Sequence, residues 1–64
     1  MNTVQTQVDS CLDFIQDKRF TVEFLLSNKG FNKIGIDLGN EYQTFWLPEE
    51  EADFIFDLEG NAYV

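Results

Sequence analysis

A chain of 64 residues is long enough for one small domain, and its 44% hydrophobic and 16% aromatic content, with seven Phe, one Trp and two Tyr, excludes a disordered acidic tail. The formal net charge of −8 with no His excludes an ordinary basic surface for nucleic acid or anionic membrane and removes the usual neutral-pH general base. One cysteine, Cys11, excludes a disulfide scaffold, and a reducing cytoplasm is the expected compartment.

Val4, Val8, Cys11, Leu12, Phe14 and Ile15 recur at spacings of three and four, which predicts an amphipathic helix over Thr3 to Asp17. Asp9, Asp13 and Asp17 fall on its opposite side. Asn2 with Gln5 has the spacing of a capping box, and Lys18 and Arg19 supply cations at the carboxyl end.

From Phe20 the period changes to two. Phe20, Val22, Phe24 and Leu26 alternate with Thr21, Glu23, Leu25 and Ser27, which predicts a half-buried strand. The stretch "SNKG" supplies a turn with Gly30 at the left-handed position. A second strand, Phe31 to Leu38, places Ile34, Ile36 and Leu38 on one face, and Gly39 with Asn40 makes a second turn. A third, Glu41 to Leu47, divides Tyr42, Thr44 and Trp46 from Gln43, Phe45 and Leu47.

The stretch from Pro48 onward has two readings. Pro48 and three Glu suit the first turn of a helix, whereas Phe54, Ile55 and Phe56 are β-formers. The preferred reading is a helical or irregular acidic turn over Pro48 to Ala52, then strands over Asp53 to Leu58 and Asn61 to Val64. A continuous helix from Pro48 to Leu58 is the alternative. "IDLGNEYQ" (36–43) and "FDLEGNAYV" (56–64) echo one another and read as two hairpin turns of like chemistry. The expected fold is α+β: one N-terminal helix packed on a small antiparallel sheet of four to five strands, forming a single domain over residues 1–64.

No constellation of residues suggests catalysis. Cys11 lies on the apolar stripe, where a thiol is inert. The turn with Asp57, Glu59, Gly60 and Asn61 departs from the spacing of a calcium loop. No metal or cofactor is expected, and the reading is non-enzymatic.

The charge itself is the informative feature. Through residue 33 the acids Asp9, Asp13, Asp17 and Glu23 are balanced by Lys18, Arg19, Lys29 and Lys33. From residue 34 onward Asp37, Glu41, Glu49, Glu50, Glu51, Asp53, Asp57 and Glu59 meet no cation, so the whole −8 lies there. Such a surface attracts basic partners, since Lys and Arg placed to neutralise phosphates also accept carboxylates.

The expected partner-binding residues are therefore Glu49, Glu50, Glu51, Asp53, Asp57, Glu59, Asp37 and Glu41, with Trp46 as an aromatic anchor and Asp9, Asp13 and Asp17 as a secondary acidic face. A sheet this small also needs large aromatics for its core, which is the competing role for Trp46. The expected function is inhibition or regulation of a basic, nucleic-acid-handling protein or nuclease by electrostatic and steric occlusion, with no direct contact to nucleic acid or membrane. The alternative is a generic interaction or assembly domain, including a homodimer joined by a sheet edge.

In size, acidity and cysteine content the chain resembles phage-encoded inhibitors of host nucleic-acid enzymes and defence systems, including DNA mimics and anti-CRISPR proteins. The resemblance is one of composition, without a shared motif. It implies a viral inhibitor working in the host cytoplasm.

Overall fold

A computed structural model describes residues 3–61. The elements follow one another as α1 (Thr3–Ile15), β1 (Thr21–Asn28), β2 (Phe31–Asp37), β3 (Tyr42–Pro48) and α2 (Glu49–Asn61). The class is α+β as expected, but among the described residues the sheet has three strands rather than four to five, and a second helix follows them. The strands form an antiparallel meander in the order β1-β2-β3.

Helix α1 buries Val8, Cys11 and Ile15, the centre of the predicted stripe, while Leu12 sits at its margin. It ends earlier than the pattern suggested because Asp17 turns left-handed (φ 56°) and the Lys18 N–H closes back on the Ile15 carbonyl at 3.1 Å. The Lys18 ammonium donates to the Phe14 carbonyl at 3.4 Å, so a cation does meet the negative end of the helix. Asn2 of the predicted capping box lies outside the described residues. Gln5 instead donates through its side-chain amide to Asp9 Oδ1 at 3.0 Å, one turn on.

Strand β1 contains an irregularity that the alternation did not reveal. Its register with β2 steps from Phe24↔Ile34 to Leu26↔Lys33, leaving Leu25 unpaired as a bulge. Val22 and Phe24 therefore share a face with Ile36 and Ile34, whereas Leu26 turns to the other face beside Lys33. The expectation that Phe24 and Leu26 point the same way is corrected by that one extra residue. Lys29 and Gly30, both with positive φ (53° and 84°), form the two-residue loop that matches strand twist.

Strands β2 and β3 follow their predicted alternation. Ile34, Ile36, Phe45 and Leu47 are buried, each aliphatic contributing roughly 1.5–3 kcal/mol. Leu38 lies just past β2 and packs against the core from the turn. In that turn Gly39 (φ 98°) donates its N–H to Asp37 Oδ1 at 2.7 Å, and the Leu38 N–H reaches the Glu41 carbonyl at 2.8 Å.

The preferred strand over Asp53 to Leu58 is replaced by α2, and of the preferred strand over Asn61 to Val64 only Asn61 is among the described residues. Asn61 is the last residue of that helix, and residues 62–64 lie outside those described. The alternative helix was the better reading, extended by one turn. Ala52 and Ile55 are buried with Phe56 partly buried, an i, i+3, i+4 arc that a strand would scatter over both faces. Glu49, Glu50 and Glu51 occupy the first turn, where carboxylates favour the helix dipole. The two echoing segments thus have different structures, a turn at Gly39 and a helix end at Gly60.

Both helices cover the same face of the sheet. Side chains from α1, β2, β3 and α2 merge there into one core, and the Phe14 and Phe45 rings meet at 5.8 Å between centroids, tilted by 53°. The opposite face carries Thr21, Glu23, Leu26, Lys33, Gly35, Thr44 and Trp46, with no helix over it among the described residues.

Candidate functional site

The burial of Ala52 and Ile55 dictates which side of α2 faces solvent. Glu49, Asp53 and Asp57 recur every four residues on the exposed side, flanked by Glu50, and all four are exposed. On α1 the burial of Val8, Cys11 and Ile15 leaves Asp9 and Asp13 outward in the same way. Carboxylates at that interval stand about 6 Å apart along the axis and repel by a few tenths of a kcal/mol per pair. Two anionic ridges therefore project from the helical layer. Asp17, also exposed, lies beyond the end of α1.

The carboxylates of Asp13, Asp17, Glu49, Glu50, Glu51, Asp53 and Asp57 make no hydrogen bond or ion pair among the described residues. Glu51 is half-buried at the start of α2, whose first N–H, that of Glu49, reaches the Gly30 carbonyl at 3.2 Å.

The remaining expected docking residues do not join these ridges. Glu59 accepts a hydrogen bond from the Val22 N–H at 2.8 Å in a partly buried position, tying the last turn of α2 to the outer edge of β1. Asp37 holds the β2–β3 turn through Gly39, and Glu41 is exposed in the same loop. Asp37 pairs with Tyr42 and Phe31 with Pro48, so that loop lies at the opposite end of the sheet from Glu49. Trp46 belongs to neither the core nor the acidic ridges. It stands on the bare sheet face with the Lys33 ammonium 6.0 Å from its ring centroid.

Sequence reasoning missed Phe54. It is 49% exposed on the solvent side of α2, among Glu50, Asp53 and Asp57. The signal was available only within the helical reading, where Phe54 falls off the arc defined by Ala52 and Ile55.

Two titratable groups among the described residues are perturbed. Burial pushes the Cys11 thiol up to about 11, which keeps it protonated and unreactive at neutral pH. The hydrogen bond to Glu23 raises the Tyr42 hydroxyl above its usual range, helped by desolvation and by the charges of Glu23 and Asp37. An open depression of about 460 Å³ is lined by Arg19, Phe20, Thr21, Asp37, Leu38 and Gly39, a set without a nucleophile and base pair. Among the described residues no three of His, Cys, Asp and Glu converge to hold a metal ion, and no helix is long and apolar enough to cross a membrane.

No family model, curated protein or solved structure matches the chain.

Proposed function

We propose that this is a non-enzymatic binding protein that occludes a basic partner, of the kind that handles nucleic acid, by presenting the helical carboxylates where phosphates would lie. One observation supports the reading above others: Glu49, Glu50, Asp53 and Asp57 are exposed along one side of α2 and none of their carboxylates is committed to an internal bond among the described residues. Guanidinium and ammonium groups arranged for a phosphate backbone meet such a row through charge-assisted hydrogen bonds. Phe54 adds an apolar contact inside the charged rim, the combination from which binding hot spots are built. The compositional resemblance to viral inhibitors of nucleic-acid enzymes agrees with this reading.

The test is competition. Immobilised protein is loaded with a host lysate and eluted in salt steps, and each eluted protein is assayed for nucleic-acid binding with and without added inhibitor. A quadruple variant, E49Q/E50Q/D53N/D57N, is compared throughout. The expected partner elutes early as salt rises, releases DNA or RNA when the wild-type protein is added, and ignores the variant. Equal inhibition by the variant, or binding indifferent to salt, removes the reading.

A further inference from the structure

The two outer edges of the sheet are finished differently. On β1 the Val22 N–H points outward into the Glu59 carboxylate at 2.8 Å, and the bulge at Leu25 interrupts the strand beyond it. That outward N–H also fixes the phase of the whole ladder. Val22 stands opposite Ile36 without bonding to it, so Ile36 turns its own N–H and C=O to β3, and Ile34 two residues back does the same. The bonded partners on β3 are then Gln43 and Phe45, which leaves Tyr42, Thr44 and Trp46 with their N–H and C=O groups directed away from the sheet. No helix, turn or side chain among the described residues bonds those groups, and all three residues are exposed.

This second edge lacks the devices that blunt the first. From Tyr42 to Leu47 there is no charge, proline or bulge, and Tyr42, Thr44, Phe45 and Trp46 all favour extended pairing. Carboxylates stand instead at its two ends. Glu41 immediately precedes the strand and Glu49 and Glu50 immediately follow it, all exposed. Helix α1, which packs against β3, adds the exposed Asp9 and Asp13. On the neighbouring strand Lys33 and Asp37 offset one another.

We propose that the β3 edge takes an extended basic segment of a protein partner as a fourth strand, through main-chain bonds to Tyr42, Thr44 and Trp46. The charge at the ends selects this occupant. The seven residues of β3 span about 23 Å, so a segment with Lys or Arg roughly seven residues apart places one cation near Glu41 and another near Glu49 and Glu50. Acid at both ends suits either strand direction. A second copy is the poorer occupant, because antiparallel pairing about Thr44 brings Glu41 of each chain towards the Glu49 end of the other and adds a further −8. The inference deepens the proposed function and rests on it for the charge of the partner: the helical carboxylates meet the phosphate-binding groups, and the edge holds an adjoining tail or strand.

The probe is a synthetic peptide of three Thr-Val repeats with Lys-Arg at each end, titrated into isotopically labelled protein. Binding shifts the amide resonances of Tyr42, Thr44 and Trp46, slows their exchange with solvent, and weakens as salt rises. The same peptide N-methylated at every Thr and Val keeps its charge but cannot add as a strand, and it binds at least roughly tenfold more weakly. Thr44→Pro weakens the unmodified peptide to a similar degree. It removes an N–H that the β2 ladder does not use, and circular dichroism verifies its fold. If Thr44→Pro fails to fold, the N-methylated peptide decides alone. Equal binding of the two peptides overturns the inference, as do shifts confined to α2, which reduce the effect to condensation on the acidic ridge. Self-association of the protein alone at about 100 μM, abolished by Thr44→Pro, assigns the edge to a second copy and overturns it too. The proposed function fails by a different result, undiminished inhibition by E49Q/E50Q/D53N/D57N, which the peptide titration does not use.

Discussion

The ring of Tyr42 lies across Gly35, and a side chain at position 35 would collide with its hydroxyl and come within 2.7 Å of its Cζ. Glycine is favoured there by the close approach of a half-exposed side chain, not by backbone angle. Gly35→Ala forces the half-exposed ring off the sheet, breaking the bond to Glu23, and should destabilise the fold by about 1 kcal/mol, the lower end for overpacking. The hydroxyl also loses the hydrogen bond that raises its pKa, so a spectrophotometric titration should find Tyr42 ionising at lower pH than in wild type. Tyr42→Phe, which keeps the ring but not the bond, should cost less. Because the folded-state pKa is raised, this contribution is complete below the ordinary tyrosine range and disappears as pH climbs through the raised value. An unchanged tyrosine titration in Gly35→Ala would remove the argument.

Cys11 extends the same sign to a buried group. Its thiol ionises near 9.0 when exposed and at about 11 in the fold, so the native state resists deprotonation over that interval. Stability is full below pH 9 and declines by at most about 2–3 kcal/mol as pH rises to 11. Urea unfolding of wild type and Cys11→Ala at stepped pH should show the variant less stable at neutral pH but flatter above pH 9. Parallel curves for the two proteins would contradict this.

The bond from the Val22 N–H to Glu59 fastens α2 to the sheet edge. Glu59→Ala leaves a partly buried donor without its acceptor, at a cost of about 1–2 kcal/mol. Glu59→Gln keeps an acceptor and removes an anion from the negative end of the helix, so its loss should be smaller. Hydrogen exchange at the Val22 amide should accelerate in Glu59→Ala more than in Glu59→Gln. Equal acceleration would assign the effect to charge rather than to the bond.

Neighbouring residues on α2 offer a test of helical geometry. Ile55 is 2% exposed and Phe54 is 49% exposed. Ile55→Ala should cost about 2–5 kcal/mol, a large part of the stability of so small a domain. Phe54→Ala should change stability by less than about 1 kcal/mol, although it removes the larger side chain. Chemical denaturation of both variants measures the contrast, and similar losses would be incompatible with the helix.

Local pattern was enough to specify the N-terminal helix, the turn at Gly30 and the division of each strand into two faces, with Ile34 and Ile36 together on one and Phe45 and Leu47 together on another, because those segments carry one unambiguous period each. It also placed the surplus charge in the second half of the chain, a property of composition that folding cannot alter. Strand alternation separates Trp46 from Phe45 and Leu47 but does not say which set the helices will cover. That choice is collective, made when Val8, Cys11, Ile15, Ala52 and Ile55 close over Ile34 and Ile36. The same closure settled Phe54 to Phe56, whose β propensity lost to the burial available to a helix. Asp37 and Glu59 look like the other acids along the chain. They became structural because the β2–β3 turn and the β1 edge each presented an N–H within 3 Å. Sequence determined how much negative charge there is and that it is uncompensated nearby. Tertiary packing alone decided which carboxylates face solvent together, because their directions depend on helix orientations set by distant apolar contacts.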